Sequence, residues 1–224
     1  MKQAIIPITR EQMDKLLEAS MIDDFFYMLF LTAKTTGRRL GEFYGVEEKE
    51  EIGRKLIGKK KVYDKDGNIL YIDKTIPKYK KTNIWNYGIK VKDININRAT
   101  MKVWVLKRRR FIQDETILTP EVVRVIRQYI IRNNLNDEDY LFRKVTYRQI
   151  QNKIKYFAKK SGIKHNFSFH NFRHYFISEL SRQGWTYQKI AKLTGHKSIG
   201  TLTTYDHIIA DDLRDEALNS IKNL

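Results

Sequence analysis

The sequence predicts a mainly α-helical chain with a small antiparallel β-sheet (α+β), and three observations predict it. Apolar residues recur at helical spacing behind capping residues at several places. A Lys-rich stretch in the first half carries a hairpin turn, and a second region after it alternates like paired strands. No run approaches the roughly 20 apolar residues of a membrane span, so the apolar residues are read as core.

Thr9 and Gln12 form a capping pair ahead of Met13, Leu16 and Leu17, which predicts a first helix. Asp24 to about Lys34, with Phe25, Phe26, Met28, Leu29, Phe30 and Leu31, is long and apolar enough for a buried helix. Thr36-Gly37-Arg38-Arg39-Leu40-Gly41-Glu42-Phe43 reads as a turn leading into a short helix. From about Glu47 to Gly88 the texture turns Lys-rich, and Asp66-Gly67 between Lys61-Val62-Tyr63 and Ile69-Leu70-Tyr71-Ile72 predicts a β-hairpin. Ile94–Asn97 and Met101–Leu106 alternate as paired strands, which places the basic run Lys107-Arg108-Arg109-Arg110 at a strand end near a tight turn. Thr119-Pro120-Glu121 supplies a cap, a first-turn proline and an acidic first turn for a helix to about Arg132. Residues 133–137 read as a loop, and helices are expected near 146–161, 170–183, 186–193 and 211–222. No repeat or low-complexity linker divides the chain, so residues 1–224 are expected to form a single domain with a hairpin insertion at about 47–90.

Lys and Arg number 43 against 26 Asp and Glu, a net charge of +17. A small domain needs a net charge of only about 2–8 for solubility, so the excess points to a polyanion. Nucleic acid fits best, because each phosphate neutralised by Lys or Arg releases counterions. No membrane partner is expected, and without a basic-then-apolar leader the chain is expected in the cytoplasm, associated with the nucleoid. The chain has no cysteine, which excludes disulfides, Cys-ligated zinc and thiol catalysis. Any nucleophile is therefore an oxygen or a nitrogen.

Near the C-terminus stands Phe169-His170-Asn171-Phe172-Arg173-His174, then Leu193-Thr194-Gly195-His196-Lys197-Ser198, with Tyr205 nine residues beyond His196. Upstream lies Thr36-Gly37-x-Arg39-x-x-Glu42. Each motif alone is weak, and a lone tyrosine among thirteen is ordinarily a packing residue. Their order and spacing are jointly specific. Together they resemble the signature boxes of the tyrosine recombinase, or phage integrase, family: Thr-Gly-x-Arg, His-x-x-Arg-His, Leu-x-Gly-His and a nucleophilic tyrosine. The resemblance covers nearly the whole chain. It implies that family's catalytic-domain fold, in which a small sheet carrying a catalytic lysine separates the first box from the second.

The resemblance also implies an activity: site-specific cleavage and rejoining of duplex DNA through a 3′-phosphotyrosyl intermediate, with no metal, ATP or other cofactor. Arg39 and Arg173 would clamp the phosphate, because a guanidinium fork binds two oxygens and stays charged. Tyr205 would attack phosphorus, His170 would act as general acid or base, and His196 would hold the phosphate or the nucleophile. Lys107 is the candidate proton donor to the leaving 5′ oxygen, with Lys102, Arg108 and the lysines of the 47–90 segment as competitors. Arg38, Arg108, Arg109, Arg110 and Lys197 are expected to contact DNA, and the inserted hairpin is expected to add a further contact. A homotetramer on paired DNA sites is implied, with a monomer possible when free. An amphipathic tail helix over Asp211–Asn219 would dock on a neighbouring protomer or on its own core. The family's N-terminal core-binding domain has no counterpart ahead of the first box, so weak, salt-sensitive DNA binding is expected.

Other readings compete. His170 and His174 stand at zinc-site spacing, but Asn171 replaces the Glu that metallohydrolases place after the first His. Asp64, Asp66 and Asn68 resemble part of a calcium loop whose later ligands are missing. A nicking-closing enzyme of type IB topoisomerase character, or a non-catalytic accessory DNA-binding protein, would share the fold. Phe172, Thr194 and Leu202 depart from the family's usual residues and read as packing changes.

Overall fold

The computed structural model describes residues 8–107, 110–196, 200, 202 and 203. These residues divide into two compact units, one holding the helices and a small sheet, the other spanning Val46–Asn86.

In the first unit, α1 (Arg10–Ser20) opens at Thr9, whose hydroxyl accepts from the Gln12 amide while the Gln12 side chain accepts from the Thr9 amide. The expected capping box therefore satisfies backbone donors that the first turn leaves without partners. Helix α2 (Asp24–Thr36) starts on Asp23, whose carboxylate accepts from the Phe25 and Phe26 amides. Its apolar run is buried on all sides, because α2 packs against α1, α4 (Pro120–Arg132) and α6 (His170–Arg182). The helix ends at Gly37, with φ +61°, and the chain re-enters a helix at α3 (Leu40–Tyr44). This left-handed corner belongs to glycine. It also decides where the Gly37 carbonyl and Arg39 point.

Strands β3 (Ile94–Asn95), β4 (Thr100–Lys107) and β5 (Arg110–Ile117) form an antiparallel sheet in that order, with Lys107 opposite Arg110. The sheet is larger than the sequence pattern predicts, because β5 carries Gln113, Asp114 and Glu115, residue types poor in strand propensity. Helices α5 (Tyr147–Lys160) and α7 (Tyr187–Thr194) complete seven α-helices among the described residues, and the expected helix at 211–222 lies outside them.

The core is aromatic. Phe172 is fully buried among Phe30, Phe167 and Phe169, with ring centroids 5.2 to 5.5 Å away. Cutting Phe172 back to Ala removes three ring contacts from a site that cannot collapse, so Phe172→Ala should cost about 3–5 kcal/mol. Urea unfolding checks this, and a destabilisation below about 1 kcal/mol would refute the packing role. Leu202 is likewise buried, beside Ile177 and Ile190, as a packing substitution should be.

The second unit is a two-stranded antiparallel ribbon of β1 (Val46–Tyr63) and β2 (Ile69–Asn86). Its strands are 18 residues each, far longer than the segments flanking the predicted turn. At the tip, Asp64 Oδ1 accepts from the Asp66 and Asn68 amides and Gly67 adopts φ +83°. Those donors, Asn68 first, hold the Asp64 carboxyl below its ordinary value. Asp64 is thus built into a turn.

Candidate active site

Helix α6 begins at His170, and a turn fastened by Asn171 precedes it, its Oδ1 accepting from the Ser168 amide and hydroxyl. That gives Asn171 a structural task at the position where a zinc hydrolase would hold Glu. His170, Arg173 and His174 then share one face of the helix at i, i+3 and i+4, while Phe172 turns into the core.

Arg173 is only 1% exposed. Its Nη1 donates to the Gly37 carbonyl at 2.9 Å, and its Nη2 lies 3.0 and 3.2 Å from Nδ1 and Nε2 of His196. The neighbouring Thr194 assigns the imidazole tautomer. Its hydroxyl sits 2.6 Å from the Ile190 carbonyl, where it must donate, and 2.6 Å from His196 Nδ1, where it can only accept. His196 therefore carries its proton on Nδ1, which leaves Nε2 unprotonated beside Arg173. Gly195, with φ +68°, caps α7 and turns the chain so that His196 returns beside Arg173. Thr194 is thus more than the packing change expected of it.

Arg39 stands at the N-cap of α3, where its amide and Nη1 both reach the Glu42 carboxylate, at 3.2 and 3.0 Å. The Glu42 side chain is 7% exposed and that of Arg39 42%, so a buried carboxylate orients an accessible guanidinium. Its charge reaches the other boxes, lowering the pKa of both His170 and His196.

Arg38, expected among the DNA contacts, is placed in the interior of the described residues. It is 1% exposed, with Nη1 on Asp114 at 3.0 Å and Nη2 on the Glu115 carbonyl at 3.4 Å. Its guanidinium ties the α2–α3 corner to β5 inside the protein, which gives Arg38 a structural task. The pair also explains why an acidic residue sits within β5.

Of the remaining predicted residues, Lys107 closes β4 opposite Arg110. Arg108, Arg109, Lys197 and Tyr205 lie outside the described residues. The structure thus brings together Arg39, His170, Arg173 and His196, and adds His174, Glu42, Thr194 and Asn171. Glu42 had a legible signal, its capping-box spacing from Arg39. Thr194 had none, since a threonine before Gly-His gives no sign of which way its hydroxyl points. Among the described residues, no group of three or more His, Cys, Asp or Glu is placed to hold a metal ion.

The phage integrase family profile matches residues 86–211, more than half of the chain. The chain belongs to the phage integrase family. The match begins at the last residue of the ribbon, after the first box, and the Gly37–Arg173 hydrogen bond is one of the contacts that join that box to the matched region. Tyrosine recombinase XerA of Saccharolobus solfataricus is 33% identical over 140 residues, covering 61% of this chain and 44% of that protein. Transposase A from transposon Tn554 of Staphylococcus aureus is 26% identical over 137 residues, covering 56% of this chain and 36% of the relative. Among solved structures, a XerA recombinase superposes with a TM-score of 0.66 at 21% identity, over 98% of this chain and 64% of that one. XerH site-specific recombinase bound to palindromic difH substrate superposes at 0.61 and 14% identity, over 94% of this chain and 52% of that one. This integrase-family chain spans less than two thirds of the length of each of these relatives.

In this family member the imidazoles of His170, His174 and His196 are held toward their neutral forms. Burial first, then the charges of Arg173 and Arg39, hold His196 down to about 4. Burial, His170 and Arg173 hold His174 to about 4. His170 is exposed by surface area, but its ring stacks edge-on against His174 at 4.5 Å. The water displaced on that side, then Arg173 and Arg39, lower it too.

These values set a stability trend. Unfolded histidine titrates near 6.5, above the native values of about 4, so on acidification the unfolded chain takes up protons that the native site refuses. The stabilisation is complete above about pH 6.5 and is lost progressively as pH falls toward about 4. Thermal melts across that window should show Tm falling with pH, and less steeply in His174→Gln. A flat profile would contradict the neutral cluster.

Thr194→Val keeps the shape and removes the acceptor for His196 Nδ1. Strand cleavage should slow about tenfold, the equivalent of one neutral hydrogen bond of about 1.4 kcal/mol. Thr194→Ser should recover most of the rate, and full activity in the Val variant would sink the positioning role.

Proposed function

We propose that this chain cleaves and rejoins duplex DNA at specific sites, as the catalytic part of a tyrosine recombinase. The observation that supports it most is the hydrogen-bonded line from the Gly37 carbonyl through Arg173 to His196, which joins all three boxes. Arg39 and Arg173 bind the non-bridging oxygens of the scissile phosphate and spread the charge that builds in the transition state. The Tyr205 oxygen bonds to phosphorus as the bond to the 5′ oxygen breaks. The departing oxygen takes a proton from Lys107, and the tyrosine proton passes to His170. The 3′-phosphotyrosine keeps the energy of the broken ester, so religation reverses the step without ATP. Arg108, Arg109, Arg110 and Lys197 add phosphate contacts, and paired sites assemble four copies. XerH, similar in fold, is solved with its difH substrate.

Suicide duplexes carrying a nick near the site provide the test, because the freed strand end diffuses away and traps the covalent protein. On a denaturing gel with EDTA present, the wild-type chain should shift to a protein–DNA adduct. DNA binding without adduct across varied duplexes would favour an accessory role, and adduct only when a divalent cation is supplied would refute the mechanism.

A further inference from the structure

The ribbon's two faces differ in charge, and the register makes the difference legible. Strand β2 pairs without interruption from Ile69 to Lys81, so its even-numbered residues share one face with the β1 residues opposite them. On that face the rungs are Lys60–Ile72, Gly58–Lys74, Lys55–Ile76 and Gly53–Lys78, with Val62–Leu70 toward the tip and Lys80–Glu50 at the other end. Each of the four rungs carries one lysine, and the lysines alternate between strands: Lys60, Lys74, Lys55, Lys78. Their partners are isoleucine or glycine, and no carboxylate enters the face between Gly53 and Leu70. Along β2 these rungs repeat every two residues, about 6.8 Å at 3.4 Å per residue.

The opposite face is mixed in sign, with Asp73 and Glu51 among Lys59, Lys61 and Arg54. Lys59 faces Asp73 directly, Glu51 faces Tyr79, and Arg54 Nε donates to the Thr75 hydroxyl at 2.9 Å. Lys55, Lys60, Lys74 and Lys78 are exposed, and the residue opposite each of them is uncharged. Gly58 and Gly53, at φ +137° and +133°, follow bulges at Ile57 and Ile52 and leave open space opposite Lys74 and Lys78. A strand glycine of this kind lets another backbone approach closely.

We infer that this lysine-laddered face lies against duplex DNA, in the major groove. The groove admits a two-stranded ribbon, the lysines reach phosphates on both walls, and Ile72 and Ile76 lie between them where thymine methyl groups project. A protein partner fits the face poorly, since the centres of protein interfaces are depleted of lysine. Edge protection is also an insufficient account, because charge of either sign blunts an edge, and the four rungs from Gly53 to Lys60 carry only one sign. The inference rests on the recombinase reading only in taking duplex DNA as the ligand.

The test measures affinity of the full chain for duplex DNA as a function of salt. Changing Lys55, Lys60, Lys74 and Lys78 together to Gln should flatten the slope of log K against log salt by about 0.9 for each phosphate no longer neutralised, so by about 2–4 in all. The control Lys59→Gln with Lys61→Gln, on the other face, should leave most of the slope. Thermal melts confirm that both variants fold, and replacing Val46–Asn86 by a short glycine turn should flatten the slope at least as far as the fourfold variant. An unchanged slope in the fourfold variant overturns the inference, as does an equal reduction in the control. A change confined to self-association, read by sedimentation, assigns the face to a second copy instead. A wild-type chain that fails to bind duplex DNA at all sinks the recombinase reading itself, an outcome distinct from these.

Discussion

Tyr205→Phe should abolish covalent attachment to DNA, a reduction of at least about 10⁴-fold, since removal of a nucleophile leaves only binding and charge stabilisation. The assignment of Tyr205 is what the resemblance implies, and the composition is compatible with it. The chain has no cysteine, so an oxygen or nitrogen must attack, and Tyr205 stands nine residues after the histidine that Arg173 and Thr194 hold in place. Affinity for duplex DNA should hardly change, because the phosphate-binding cations are untouched. The suicide-duplex gel reads the first quantity and fluorescence anisotropy the second. Adduct persisting in the Phe variant would transfer the role to another of the thirteen tyrosines. Absence of both adduct and binding would show that Tyr205 acts on the fold rather than on phosphorus.

What the sequence disclosed and what it hid divide along physical lines. Helix starts were legible at Thr9 and Thr119, because caps act over three residues and both hydroxyls accept from the amides of their own first turns. The boxes were legible because their chemistry requires particular residue types in a particular order. Strand β5 was not, because Asp114 belongs in a strand only through Arg38, 76 residues away, and no local pattern contains that partner. For the same reason Arg38 read as a surface cation. Its neighbour Arg39 has the same charge and an adjacent position, and only the direction of the chain after Gly37 sends one inward and the other to the surface. The ribbon's length was hidden by its bulges at Ile52 and Ile57, which break the two-residue alternation that marks a strand.

Arg173→Lys should slow cleavage about 10²–10³-fold while leaving DNA binding nearly intact. Lysine keeps the positive charge, so the long-range attraction to phosphate persists. It cannot keep the geometry. The Arg173 guanidinium, 1% exposed, spends Nη1 on the Gly37 carbonyl at 2.9 Å and presents Nη2 to His196, two directions fixed by one rigid plane. An ammonium is a single point with a more firmly held water shell, and in this buried position it must give up one of those partners. The stability cost should be about 1–3 kcal/mol, that of a buried acceptor left unsatisfied. That cost lowers Tm without explaining a slower rate measured well below the transition. Single-turnover adduct formation and a thermal melt on the same preparation separate the two effects. Cleavage within about threefold of wild type, a change of less than about 0.7 kcal/mol in the barrier, would remove Arg173 from the clamp. In that outcome Arg39, more exposed and held by Glu42, would be left to carry the phosphate charge, and Arg39→Lys should then be the more damaging change.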